Sequence, residues 1–177
     1  YKKEPYTQQK LKEKNSKWLN DDYVKFFRLG QFYLQKVPLA ILAYITPHGF
    51  LENPTFRGLR AFMLSQSTSL EFINLHGNLR RRHTANDHNI FPQIMQGICL
   101  SFLLKTSVSE HQLPLDTRVR YFELLGSAAS KMNALKQIQN KSIPFVDITL
   151  LHKPKPFLFF VPKQTDLWET YYQGIAV

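Results

Sequence analysis

Residues 39–46 read Leu-Ala-Ile-Leu-Ala-Tyr-Ile-Thr, between Pro38 and Pro47. A continuous apolar run of strand length, closed by proline at each end, predicts a β-strand buried on both faces, as in a parallel sheet covered by helices. Upstream, Asn20-Asp21-Asp22 stand before Tyr23, Phe26, Phe27, Phe32 and Tyr33. That spacing predicts an amphipathic helix over 21–35, with a side-chain oxygen meeting the free N–H groups and acids at the positive end. Downstream, His48-Gly49-Phe50 turns the chain, and a helix begins at Pro54 or Thr55 with Phe56, Leu59, Arg60, Met63 and Leu64 at helical spacing. Ser69–Leu75 (SLEFINL) and Ile98–Lys105 (ICLSFLLK) predict two further strands, separated by a polar loop over 76–89 and by Phe91-Pro92-Gln93. Strand, helix, strand, loop, strand is half of an open α/β sheet. Such sheets take ligands at the carboxyl ends of their strands, here Thr46-Pro47-His48 and His76-Gly77-Asn78.

Farther out the pattern changes. Thr106 to Thr117 is polar, contains Pro114 and reads as a linker. Strands are predicted over Val119–Leu125, Val146–Leu151 and Phe157–Val161, with helices over Ser127–Gln139 and from Thr165 to Tyr172. The expected division is residues 1–105, a linker at 106–118, and the start of a second, α+β-like region over 119–177. Residues 1–19 are a polar, basic lead-in. The chain opens on Tyr1 rather than Met and carries Lys2, Lys3, Lys10, Lys12, Lys14 and Lys17, so either a leader is missing or the chain is a fragment.

Composition narrows the function. The chain has 177 residues, 44% hydrophobic and 14% aromatic, enough to bury a core. Lys and Arg number 23 against 13 Asp and Glu, a formal net charge of +10. A basic, aromatic-rich chain favours an anionic partner, nucleic acid being the commonest; the competing reading is a basic surface kept for solubility. The single cysteine, Cys99, excludes an internal disulfide framework and fits a reducing compartment, so the expected location is cytoplasmic. Six histidines and one cysteine do not fall at metal-ligand spacing, and no metal site is expected. No apolar run approaches the ~20 residues of a membrane span. There is no Gly-x-Gly loop after a strand, no Gly-x-x-x-x-Gly-Lys and no His-Glu-x-x-His, so backbone amides alone build no nucleotide cradle.

Two constellations remain. Arg80-Arg81-Arg82, followed by His83, lies in the loop after the second strand. Adjacent guanidinium groups on a loop suit phosphate contact, because each forks onto anionic oxygens; the alternative is a solvated turn. Phe91 precedes Pro92, which places it in extended backbone at a loop edge. It can project into a cleft and stack on a base; on spacing alone, a core phenylalanine covering the sheet edge is the favoured reading.

Four segments occur in one order: Asn20–Arg28 (NDDYVKFFR), LAILAYITPHGFLENPTFRGLRAFML (39–64), INLHGNLRRR (73–82) and NIFPQIMQGICLSFLLK (89–105). That order resembles the C-terminal part of an N6-adenine DNA methyltransferase domain in fused restriction–modification proteins, either Eco57I-like type IIG or the related single-polypeptide, helicase-bearing kind. Residues 157–174 (FLFFVPKQTDLWETYYQG) are similar to the passage into the target-recognition region of those proteins. The resemblance implies the distal half of a Rossmann-like methyltransferase sheet followed by the start of an α+β target-recognition region. It implies double-stranded DNA as partner, with the target adenine flipped out of the duplex. Phe91, in Ile-Phe-Pro-Gln, matches the aromatic that stacks on the flipped base, and Arg80, Arg81 and Arg82 match DNA-facing positions.

The departures are as informative. The family's Phe-x-Gly-x-Gly cofactor loop and Asn-Pro-Pro-Tyr catalytic loop are absent; Glu4-Pro5-Tyr6 is a superficial echo. Asn74 stands where the family often has Asp before Leu-His-Gly-Asn, and Asp87 to Gln93 departs from the usual acidic pattern before the aromatic. The resemblance therefore implies S-adenosylmethionine in the complete enzyme, none bound by this chain alone, no catalytic residue here, and a partner half on the same or a companion chain. The rival expectation is a non-catalytic DNA-binding or specificity subunit on the same scaffold; a third is an inactive, decayed product.

Overall fold

A computed structural model describes residues 2–3, 9–11, 16–80, 85–106, 117–138, 142–148 and 158–163. It is a mixed α/β fold, a five-stranded mixed sheet with three helices. The helices are α1 (Asp22–Leu34), α2 (Arg57–Gln66) and α3 (Ala128–Ile138). The strands are β1 (Ala40–Pro47), β2 (Ser69–His76), β3 (Ile98–Lys105), β4 (Arg118–Glu123) and the two-residue β5 (Val146–Asp147). Their order across the sheet is β1-β3-β2-β4-β5. β3 is antiparallel to both β1 and β2, with Ile41 opposite Leu104 and Phe72 opposite Ser101. β4 runs parallel to β2, Leu70 beside Val119. Hence β1, β2 and β4 end at the same margin of the sheet, where β3 begins.

The expected strand over 39–46 forms, but its surroundings differ from those predicted. β1 is the outermost strand and antiparallel to its neighbour, not a central parallel strand. Its burial alternates, leaving Ile41 71% and Ile45 59% exposed. An unbroken apolar run records what could be covered on both faces; it cannot record whether the covering is supplied within the same stretch of chain. β4 and β5, beyond the expected linker, continue the sheet that β1, β2 and β3 begin.

One face of the sheet is packed by α1 and α2. Val24 and Phe27 of α1 and Leu59, Met63 and Leu64 of α2 join Leu70, Phe72, Cys99, Leu103 and Val119 in the main core. The α1 start is not capped as expected, since the Asp21 side chain makes no cap hydrogen bond. Instead the Asp21 carbonyl accepts from Val24 and Lys25, and Asp22 pairs with Lys25 at 2.8 Å. At the other end the Lys105 ammonium donates to the Leu34 carbonyl at 2.9 Å, a cation at the negative end of the helix. On the opposite face Ile73, Leu75 and Ile98 pack with Phe122, Leu135 of α3 and Phe145. The second face is therefore covered over β2 and β4 and open over β1.

Residues 158–163 do not form the expected strand. Leu158 and Phe160 are buried in the main core, and the Phe160 amide donates to the Leu51 carbonyl. Of the strand expected over 146–151 only Val146–Asp147 pairs, and the helix expected from Thr165 to Tyr172 lies outside the described residues. Among the described residues no helix is long and apolar enough to cross a membrane.

Phe72 joins these layers. It is fully buried, stacks on Phe160 with centroids 4.9 Å apart, and meets Phe50 edge-on at 5.8 Å. Phe72→Ala is expected to cost about 3–5 kcal/mol, measured by urea denaturation, because three rings lose their common contact. A loss below about 1 kcal/mol would contradict this packing.

Candidate functional site at the carboxyl end of the sheet

The two strand ends expected to form a ligand crevice do meet. β1 delivers His48 through the turn after Pro47, and β2 delivers His76; the imidazoles lie edge to face with centroids 5.9 Å apart. The turn carrying His48 is held from below by Arg60, which is fully buried and donates to the carbonyls of Phe50 (2.6 Å) and Asn53 (2.9 Å). Burial pulls its guanidinium pKa down to about 9. Gly97 leaves room for the His48 ring: a Cβ there would stand 2.4 Å from Cε1.

Asn74 is the hub. Its Oδ1 lies 3.0 Å from His48 Nδ1 and accepts from the His76 amide at 3.0 Å. Because Oδ1 can only accept, His48 carries its proton on Nδ1. Asn74 Nδ2 donates to the Tyr121 hydroxyl, which donates to Glu123 Oε2, both at 3.0 Å. The same Glu123 oxygen lies 2.9 Å from His76 Nε2. The chain is directional and needs an amide at 74: a carboxylate has no proton for Tyr121. This accounts physically for Asn where the family resemblance leads one to expect Asp. Burial is the main influence on His48, holding its pKa below the ordinary 6.5, against the raising effect of Asn74. Burial likewise raises the Tyr121 phenol.

β2 ends abruptly. A register irregularity falls between Asn74 and His76, and His76 (φ 49°) and Gly77 (φ 76°) turn left-handed in succession. For a histidine this conformation is strained by roughly 1 kcal/mol or more. The loop it opens is fixed by Asp87 and Asn89, both buried. Asp87 Oδ2 accepts from the Gly77 amide at 2.8 Å, and Asp87 Oδ1 lies 2.5 Å from the ammonium of Lys131 on α3. Burial alone would raise the Asp87 pKa; the hydrogen bonds from Lys131 and Gly77 and the Lys131 charge outweigh it and hold the carboxyl below its ordinary 3.8. Asn89 Nδ2 donates to the Gln96 carbonyl at 2.7 Å, and its Oδ1 accepts from the Phe91 amide at 2.9 Å.

Phe91 thereby stands at the rim, 41% exposed, and not in the core. With Pro92 and Ile94 it forms one wall of an open groove of about 580 Å³, whose other wall is Ile45, Thr46 and Pro47 at the end of β1. Arg80 is exposed in the same loop cluster, since the neighbouring Leu79 amide donates to the Met95 carbonyl. Arg81 and Arg82 lie outside the described residues. Asp87, Asn89, Tyr121, Glu123 and Lys131 were not anticipated from the sequence. Asp87 and Lys131 are 44 residues apart and carry no local motif; the faint signal is one lysine at a buried position of an otherwise exposed helix.

The described residues do not offer a cradle for S-adenosylmethionine. The space a cofactor would need at Gly77 and Gly97 is taken: a Cβ on Gly77 would meet the Asn89 backbone at 2.4 Å, and Gly97 is filled by His48. Among the described residues no three His, Cys, Asp or Glu side chains converge to hold a metal ion. Cys99 is buried, its thiol pushed up to about 12 by burial, and it is a packing residue.

Neither a family model nor a curated protein sequence matches the chain. Solved structures do. The type ISP restriction–modification enzyme LlaBIII bound to DNA matches with a TM-score of 0.72 and 19% identity, over 89% of this chain and 11% of that one. The DrdV–DNA complex matches at 0.65 and 23% identity, over 76% and 13%. A nuclease-deletion mutant of the type ISP enzyme LlaGI, in complex with a DNA substrate mimic, matches at 0.63 and 20% identity, again over 76% and 13%. At these identities the likeness is one of fold. This chain resembles a small portion, about one-eighth, of much larger restriction–modification enzymes seen with DNA.

Two outcomes test the hub. Asn74→Asp is expected to cost about 1–3 kcal/mol at pH 8 in urea melts, by leaving two carboxylates to share one phenol proton. For His48 the folded pKa lies below the unfolded 6.5. Its contribution is therefore complete above 6.5 and is lost as pH falls through that value. His48→Gln is expected to flatten the stability profile between pH 7.5 and 5.5; an unchanged slope would show His48 is not held neutral.

Proposed function

We propose that this chain is the distal part of the methyltransferase domain of an adenine-specific DNA methyltransferase in a restriction–modification protein. It contributes the DNA-facing rim and one wall of the target-base pocket, and leads into the target-recognition region beyond residue 118. The observation that carries this reading is the position of Phe91: an apolar ring left exposed on a hydrogen-bonded loop, over a groove at the carboxyl end of the sheet. A phenylalanine whose task was to cover the sheet edge would be buried against it. Arg80, and by sequence Arg81 and Arg82, supply phosphate contacts beside it. The fold likeness to DNA-bound restriction–modification enzymes supports the same reading.

In the proposed chemistry the chain acts by holding the substrate. Phe91 stacks on a flipped adenine and keeps it out of the duplex, where its amino group is accessible. The groups that bind S-adenosylmethionine and grip the amino group belong to the other half of the domain. That half docks on β1, whose outer edge is unpaired within the described residues and whose open face presents Ile41 and Ile45. An exposed apolar edge strand of eight residues is suited to continuing a sheet and is otherwise an aggregation liability.

The direct test uses duplexes carrying an unpaired adenine or, at the same position, an abasic site. The wild-type chain is expected to prefer the adenine by about tenfold, Phe91→Ala to abolish the preference, and Phe91→Trp to keep it. Equal affinity of the wild type for both would sink the stacking role. Replacing Arg80, Arg81 and Arg82 together by Ala is expected to weaken binding to all sequences and flatten the dependence on salt. With a companion polypeptide carrying the upstream motifs, Ile41→Glu/Ile45→Glu is expected to block recovery of adenine methylation while shifting the isolated chain's stability by less than about 0.5 kcal/mol.

A further inference from the structure

Lys131 and Asp87 form a fully buried ion pair outside the groove, and nothing in the proposed chemistry so far uses it. Every proton of the ammonium is committed: to Asp87 Oδ1 (2.5 Å), to the Leu75 carbonyl (2.6 Å) and to the His88 carbonyl (2.7 Å). The carboxylate is committed as well, taking the Gly77 amide on Oδ2 and a longer contact from the Gly126 amide, at 3.4 Å, on Oδ1. The His88 amide in turn donates to the Gly126 carbonyl at 3.0 Å. One lysine thus ties together the end of β2, the start of the loop 85–97 and the turn before α3.

Replacing such a pair by apolar side chains of equal volume is often neutral for stability, so stability alone does not explain it. What a charged pair with directed hydrogen bonds adds is geometry. The carbonyls that Lys131 grips belong to the two roots of the loop. From there the path to the groove is short: Asn89 is two residues beyond Asp87, and its Oδ1 holds the Phe91 amide.

We propose that Lys131 and Asp87 are positioning residues for Phe91, so that α3, on the far side of the expected linker, sets the height and tilt of the stacking ring through the loop it clamps. This deepens the base-stacking reading and rests on it. It also couples the region after residue 118 to the target-base pocket: a displacement of α3 moves the floor under Phe91.

The test uses the full chain with 4-fluorophenylalanine at position 91 and the two duplexes above. Lys131→Met is expected to broaden or shift the Phe91 fluorine resonance and to reduce the preference for adenine over the abasic site at least about fivefold. Affinity for the abasic duplex and exchange protection of the β3 amides are expected to stay unchanged, which a general loss of structure would not allow. Asp87→Asn/Lys131→Gln, which restores a donor and an acceptor without charge, is expected to recover part of the preference. A folded Lys131→Met protein with an unaltered resonance and full preference would overturn the proposal. If the wild type shows no preference, the stacking reading fails, and the fluorine resonance still reports whether the clamp orders the ring. Should Lys131→Met not fold, hydrogen exchange of the wild type decides. The His88 and Phe91 amides are expected to exchange together with the Lys131 amide of α3, and exchange more than about tenfold faster would overturn the coupling.

Discussion

β3 runs antiparallel between β1 and β2, and both of its rows of backbone groups are paired over most of its length. A strand fixed on two sides cannot slip by one residue without exchanging Cys99, Ser101 and Leu103 for Leu100 and Phe102 in the core. The register in turn sets Pro47 opposite Ile98 and His76 opposite the same residue, so the ends of β1 and β2 arrive side by side. Everything chemically distinctive in the chain gathers at that margin. His48, Asn74, His76, Tyr121, Glu123, Asp87 and Asn89 are carried there by strand ends and by the loop between them. The rest of the sheet is apolar scaffold.

Two kinds of polar order meet at this margin. The His48–Asn74–Tyr121–Glu123 chain is built from neutral and singly charged groups, part of it open to water, and its direction is dictated by the one amide at Asn74. The Asp87–Lys131 pair is dry. Its cost of desolvation is large unless each lone pair and proton is matched, and here each is. The first arrangement is tunable by pH near neutrality, through His48; the second is indifferent to pH until the carboxyl is protonated well below 4. A loop that must present a greasy ring to water is thereby anchored by the most rigid device available, while the softer network occupies the adjoining strand ends.

Much of the scaffold was legible in the residues. The helices at 22–34 and 57–66 and the strands at 40–47, 69–76 and 98–105 follow directly from periodicity and proline placement, because those signals are local. The crevice at Thr46–His48 and His76–Asn78 also follows, since it depends only on strand direction. What failed was non-local. The covering of β1 depends on polypeptide that does not pack here, and the pairing of β4 with β2 across the expected linker has no signature in either strand. The buried pair was invisible for the same reason: Asp87 reads as one more polar loop residue and Lys131 as one more helix lysine until the fold brings them to 2.5 Å. Phe91 shows the opposite case. Spacing favoured a core role and the resemblance favoured an exposed one; its 41% exposure fits the second.

The uneven covering of the sheet bears on how the molecule works. The second face is closed by α3 and residues 143–145 over β2 and β4 but left bare over β1, where Ile41 and Ile45 stand exposed beside Leu100, Phe102 and Leu104 of β3. Apolar area of this kind is stable in water only at a cost of roughly 25 cal/mol per Å², so its natural state is covered. The groove beneath Phe91 begins at the same strand, at Ile45 and Thr46. Whatever completes the sheet on β1 must therefore also complete the groove, since both share those residues. Closure of the scaffold and assembly of the pocket become one event: a docking that buries Ile41 and Ile45 also builds the wall facing Phe91. A ring held ready from behind by Lys131 then needs no rearrangement of its own when that wall arrives, and the binding energy of the two halves is available to fix the geometry of the base between them.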